Sequence, residues 1–153
     1  MSNEVRELFG VFLMCVVLLV VTSLLCGALF VKKAYPMDCP ENLWKGLVAE
    51  ACSEGEIGMY AVACCVRNRL NNGMSTGLVA LKRKDLDAFV SRQGVKYEKM
   101  AKEIVHKVFN ENAPDVTKNA THYENVEVYG CPKWAKGMDR TVKIGCHTFF
   151  KER

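Results

Sequence analysis

The 153-residue chain contains no C-x-x-C pair, no H-E-x-x-H, no phosphate loop and no dinucleotide fingerprint. The first absence argues against a zinc knuckle, and the second leaves a zinc hydrolase without its usual ligand spacing. A His/His/Glu metal set drawn from His122, His147 and a glutamate has no motif behind it, so neither a metal nor an organic cofactor is expected. No internal repeat or low-complexity stretch occurs, which removes solenoids and disordered arrays. Charge is absent altogether from Leu8 to Val31. Twenty-four helical residues span about 36 Å, more than the roughly 30 Å hydrocarbon core of a bilayer. The stretch has no polar face of the kind a buried soluble helix shows.

The expectation is therefore an N-terminal segment, 1–31, carrying one transmembrane helix over 8–31 that contacts the lipid bilayer. A cleaved signal peptide fits less well: its apolar region is usually only about 7–15 residues after a basic start. Here SNEVRE places one Arg against two Glu, and no Ala-x-Ala cleavage site follows. Cys26 could suggest lipid attachment, but Leu25 before it is too large for the usual pattern. Lys32 and Lys33 follow the span while only Arg6 precedes it, a bias that by itself would place the C-terminal part in the cytoplasm.

What remains is a linker over 32–41, broken by Pro36 and Pro40, and one domain over 42–153. Without Glu4, Arg6 and Glu7, the 21 basic and 17 acidic residues become 20 and 15, about +5. That suits a polyanionic surface such as cell wall, lipid headgroups or nucleic acid without choosing among them, and a scattering of surface lysines explains it equally. Of eight cysteines, Cys15 and Cys26 fall in the apolar span as packing residues. Cys39, Cys52, Cys64, Cys65, Cys131 and Cys146 remain, an even count compatible with an oxidising compartment. Cys131 and Cys146 flank a plausible hairpin and form the best candidate disulfide.

Asn42 is placed to cap a helix ending near Glu50, with Leu43, Leu47 and Val48 facing in. A second helix is expected from about Glu56 to Leu70 on the spacing of Met59, Val62, Ala63 and Val66. Leu86 to Val90 reads as a strand or a helical turn. Tyr97 to Phe109 is an amphipathic helix with Met100, Ile104, Val105 and Val108 inward. From Asp115 the texture turns β-like, with runs at His122–Tyr129 and Thr141–Phe150. The fold class is α+β, mostly helical with a small β-rich C-terminal part.

The chemistry concentrates where the two helices meet. Glu50, Glu54 and Glu56 fall within seven residues, just ahead of an apolar helix. Glu50 and Glu54 are spaced i, i+4 and would share a face of a continuous helix. Two neighbouring carboxylates favour a shared proton, which suits a general acid, although a solvated inter-helix loop would read the same way. A crowd of Thr117, Thr121, His122, Tyr123, Trp134, His147, Phe149 and Phe150 in the last third could line a carbohydrate groove, or in part be core. A Cys52–His122 nucleophile has no motif to support it.

These residues also carry a resemblance. Ala49-Glu50-Ala51-x-x-Glu54-x-x-x-Gly58-x-x-Ala61-Val62, closing on Asn68-Arg69, resembles the A-E-A-x-G-E, G-x-x-A-V and N-R elements of bacterial cell wall hydrolases of the spore-cortex-lytic, SleB-like type. Asp115-x-Thr117 with Ala120-Thr121-His122-Tyr123 resembles their D-x-T-x-G-A-T-H-Y segment. Pro132-x-Trp134 and Ile144-Gly145-x-His147-x-Phe149-Phe150 resemble their tryptophan element and their I-G-x-H-x-F-Y close. Ser53 and Asn119 stand where that family has Gly, and Phe150 where it often has Tyr. Its Gln-Phe element has no clear match, with Phe89 or Gln93 as a remnant.

The resemblance implies a lysozyme-like fold acting on peptidoglycan glycan strands as a lytic transglycosylase. Such enzymes cut between N-acetylmuramic acid and N-acetylglucosamine and leave a 1,6-anhydro end. It implies Glu50 as the catalytic acid and Glu54 as support or substrate contact, with Thr121, His122, Tyr123, Trp134 and His147 along the groove. The domain would then face the periplasm or cell exterior, against the lysine bias and without nucleic acid as a partner. The alternatives are an amidase on the same polymer, a phage lysin held by its anchor, or a wall-binding protein with a retired site.

Overall fold

Apolar side chains at helical spacing decide where each helix lies. The computed structural model describes residues 39–153, together with Met14. The transmembrane expectation over 8–31 therefore falls outside the described residues, apart from Met14. Among the described residues no helix is long and apolar enough to cross a membrane.

Helix α1 (Leu43–Ala51) buries Leu43, Leu47, Val48 and Ala51 completely. A 3₁₀ turn (Cys52–Glu54) follows, and then helix α2 (Gly55–Asn71). Gly55 adopts φ 67°, a left-handed conformation that breaks the helical path between the two. The 3₁₀ turn falls between Glu50 and Glu54, at the helix junction the sequence placed there, so their i, i+4 spacing does not by itself align them. Met59, Val62, Ala63 and Val66 of α2 are fully buried, as their spacing implied.

A 3₁₀ turn (Val79–Lys82) leads to α3 (Leu86–Gln93), which resolves the strand-or-helix ambiguity there in favour of helix. Next comes α4 (Val95–Val105), extended by a π-helical turn (His106–Asn110). Ile104 and Val108 reach the core that α1 and α2 share, while Met100 and Val105 pack at its margin. Burying a Leu or Met in such a core is worth about 1.5–3 kcal/mol apiece. Truncating Leu43 or Leu47 to Ala would cost about 2–5 kcal/mol.

The last third forms a three-stranded antiparallel sheet in the order β1-β3-β2. Strand β1 (His122–Glu124) is short, because Asn125 turns the chain into helix α5 (Val126–Tyr129). The Asn125 side chain accepts a hydrogen bond from Val128 N at 3.2 Å, an N-cap that overrides the β preference of the valines. The strand expected over His122–Tyr129 is therefore half strand and half helix. Strands β2 (Asp139–Ile144) and β3 (His147–Lys151) make the hairpin expected over Thr141–Phe150. Central β3 buries Thr148, Phe149 and Phe150, with Tyr123 opposite Phe149 and Ile144 opposite His147. Phe150 has no exposed surface, so its ring needs no partner for the hydroxyl a tyrosine would bring.

Cys131 and Cys146 are both free and exposed, which corrects the expected disulfide. Cys146 lies in the turn between β2 and β3, whereas Cys131 lies upstream of β2, so the two do not bracket the hairpin.

Candidate active site

A cleft of about 420 Å³ opens between two groups of segments. The helical side contributes Glu50, Ser53, Glu54, Arg69, Thr76, Gly77 and Val79, and the sheet side contributes Thr121–Asn125, Tyr129, Cys146 and His147. Glu50 and Glu54 therefore meet in one cleft although the helix between them is broken.

The two carboxylates are held differently. Glu50 is half-buried at the end of α1, and its Oε1 accepts a hydrogen bond from Ala80 N at 3.1 Å. Among the described residues no other donor engages it. Glu54 is nearly sealed, with a side-chain exposure of 7%. Its Oε2 accepts from Cys146 N at 2.8 Å, and its Oε1 lies 2.6 Å from His147 Nδ1. That second approach is close but poorly aligned for a hydrogen bond, since His147 Nδ1 is otherwise buried without a partner. It becomes an ion pair when His147 is protonated.

Two glycines make the seat for Glu54. A Cβ placed on Gly58 would collide with the Glu54 Cβ, and one placed on Gly145 would collide with its carboxylate. Gly145 also has φ 58°, which disfavours any other residue. Glu54 thus ties the start of α2 to the β2–β3 turn across 92 residues of sequence.

Behind this, the Asn68-Arg69 end of α2 joins the helices to the sheet. Asn68 Nδ2 donates to Asp115 Oδ2, Thr117 Oγ1 and the Ala120 carbonyl at 3.0–3.2 Å. Arg69 donates to the carbonyls of Ser75 and Thr121, each at 2.8 Å. Asp115 in turn accepts from Thr117 N, Thr117 Oγ1 and Asn119 N. Burial opposes the Asp115 charge, yet these hydrogen bonds outweigh it and hold the carboxyl below its ordinary value of 3.8. Asn119 has φ 63°, and Asn is one of the few residues besides Gly that enter this region readily.

The aromatic residues separate into three groups. Phe149 and Phe150 are core. Tyr123 lines the cleft, edge-on to His147 with centroids 4.9 Å apart. Burial first, and then the charge of Glu50, push its phenol well above the ordinary 10, so it stays a hydrogen-bond donor. His122 lines the cleft with Nδ1 3.0 Å from Thr121 Oγ1, and burial followed by the Arg69 charge lowers its pKa from 6.5. Trp134, 43% exposed, packs against His122 with 5.3 Å between centroids, and Phe150 is edge-on to it at 5.4 Å. Sequence reasoning missed Arg69, Asn125 and Tyr129 as cleft residues. The N-R motif could have pointed to Arg69, whereas Tyr129 enters only because α5 replaces a strand.

Cys52 is not among the cleft-lining residues that include His122, and its thiol lies 3.6 Å from Gln93 Oε1. Burial raises its pKa, the reverse of what a thiolate nucleophile needs. Among the described residues no three His, Cys, Asp or Glu side chains converge as a metal set.

The cell wall hydrolase family matches residues 53–150, more than half of the chain. The matched span includes Glu54 and begins just after Glu50. The chain is similar to the catalytic domain of the germination-specific lytic transglycosylase SleB from Bacillus anthracis, at 25% identity and a TM-score of 0.54. That likeness covers 76% of this chain and all of the other. The catalytic domain of the Bacillus cereus SleB protein is similar at 22% identity and a TM-score of 0.49, over 80% of this chain and 99% of that one. No curated protein matches the chain.

Proposed function

The chain belongs to the cell wall hydrolase family, and from that premise we propose that it cleaves peptidoglycan glycan strands with Glu50 as the acid/base. The observation that carries this reading is the contrast between the carboxylates. Glu50 reaches the cleft with one oxygen free of protein donors, whereas both oxygens of Glu54 face Cys146 and His147. An acid that must give a proton and take one back needs that freedom.

As acid, Glu50 protonates the oxygen linking N-acetylmuramic acid to N-acetylglucosamine, and the glycosidic bond breaks. As carboxylate, it then takes the proton from the 6-hydroxyl of the same muramic acid, whose oxygen closes onto the anomeric carbon as a 1,6-anhydro ring. That internal attack needs no second carboxylate to activate water and gains from proximity. Tyr123, as a persistent donor, and Thr121 and His122 at the cleft wall support substrate contact. Glu54 is a support residue.

We place the apolar 8–31 segment in a membrane, with the domain on the peptidoglycan side, in the periplasm or at the cell exterior. The support for the span is its length and lack of charge, and the support for the side is where the polymer lies.

Product analysis tests the reading. Digestion of purified peptidoglycan should release anhydro-muramic ends and stop in Glu50→Gln. Reducing ends would make the enzyme a hydrolase, free stem peptides an amidase, and an absence of products from the parent a wall-binding protein.

A further inference from the structure

The cleft described above is polar over most of its lining, through Ser53, Thr76, Glu124 and Asn125 among others. Two residues depart from this. Tyr129, on α5, is 78% exposed, and Val79, in the 3₁₀ turn before α3, is 72% exposed. They come from the sheet side and the helical side respectively. Neither belongs to a hydrophobic cluster of the domain, so packing does not account for either. Trp134 is 43% exposed but packs on His122 and Phe150 outside the lining, Phe149 and Phe150 are core, and Tyr123 is held edge-on by His147. Tyr129 is thus the large aromatic of the cleft whose ring remains open to solvent.

Its support is firm for so short a helix. Asn125 caps the helix through Val128 N, and Glu127 pairs with Lys143 of β2. A pyranose carries C–H groups on its faces and hydroxyls around its rim, so it matches an apolar lip above a polar floor.

We propose that Tyr129 is the sugar-stacking residue of the cleft and sets its affinity for the glycan strand, with Val79 closing on the sugar from the helical side. This rests on the glycan-cleaving reading, and the experiment separates the two.

The full chain in mild detergent is assayed on purified peptidoglycan and on strands stripped of stem peptide. Tyr129→Ala should raise KM about tenfold, the loss of roughly one aromatic contact, with kcat changed far less. Tyr129→Phe should restore the parent KM, because the ring and not the hydroxyl makes the contact. Val128→Ala, also exposed on α5 but outside the lining, serves as the control and should match the parent. Equal melting temperatures exclude a merely structural effect. Binding is measured separately by co-sedimentation with insoluble peptidoglycan, comparing Glu50→Gln with Glu50→Gln/Tyr129→Ala, so that cleavage is not required. Weaker binding on loss of the ring supports the inference even if the parent proves not to cut. Unchanged binding and KM in Tyr129→Ala overturn it while leaving cleavage intact. Failure of Glu50→Gln, which keeps the Tyr129 ring, to sediment with peptidoglycan also overturns it.

Discussion

The end of α1 and the 3₁₀ turn before α2 each present a glutamate to the same cleft, yet the two are held differently. Glu50 is steadied by one backbone N–H and left open. Glu54 is fixed by Cys146 N and His147 and walled by Gly58 and Gly145. A buried carboxylate that would leave its donor unpaired is costly to disturb, whereas one open to the cleft can exchange a proton with a ligand. One short motif thus holds two carboxylates in different surroundings, which is the ground for assigning them different roles.

The strongest way to break this contrast is Glu50→Gln. It should lower peptidoglycan digestion by about 10²–10⁴-fold with little change in melting temperature. A turbidity assay in which this variant matched the parent would remove Glu50 from the chemistry. Glu54→Ala should do the reverse, costing about 1–3 kcal/mol in denaturant unfolding because Cys146 N loses its acceptor. Its activity should fall through loss of the β2–β3 turn position, and Glu54→Gln should recover part of both. Gly145→Ala sharpens the point from the other side. It forces a left-handed residue and a collision with Glu54, and should destabilise by about 1–3 kcal/mol with no chemical group removed.

Acid should act on the sheet side before it acts on the Asp115 clamp. The His122 pKa is lowered on folding, so below 6.5 the unfolded chain binds more protons and stability declines as pH falls. His122→Asn should flatten that decline in thermal melts taken across pH. The Asp115 pKa is also lowered, so its contribution is present above 3.8 and fades only at more acidic pH. The smallest effect concerns the thiols: Cys131 and Cys146 should both react promptly with a thiol reagent in the native protein, and a lag until reduction would restore the disulfide.

Much of the helical half was legible in the chain. Leu43, Leu47, Met59, Val62 and Ile104 announce buried faces because a 3.6-residue period is a local property. The family motifs marked Glu50 and Glu54 for the same reason, since residue type and spacing are local. The β-rich third was less legible. Val126, Val128 and Tyr129 have strand propensity, and one capping side chain, Asn125, turned them into a helix. Trp134 was legible as an aromatic but not as the partner of His122 and Phe150, because those contacts join residues distant in the chain.

By itself the sequence determined the apolar 8–31 stretch, the helix-forming core and the set of motif residues, all of which follow from composition and short-range period. The tertiary structure decided which glutamate stays open, why Gly58 and Gly145 are glycines, and that Tyr129 reaches the cleft lining. Each of these depends on groups far apart in the chain, Glu54 and Cys146 most of all, and their approach is set by packing that no local spacing records.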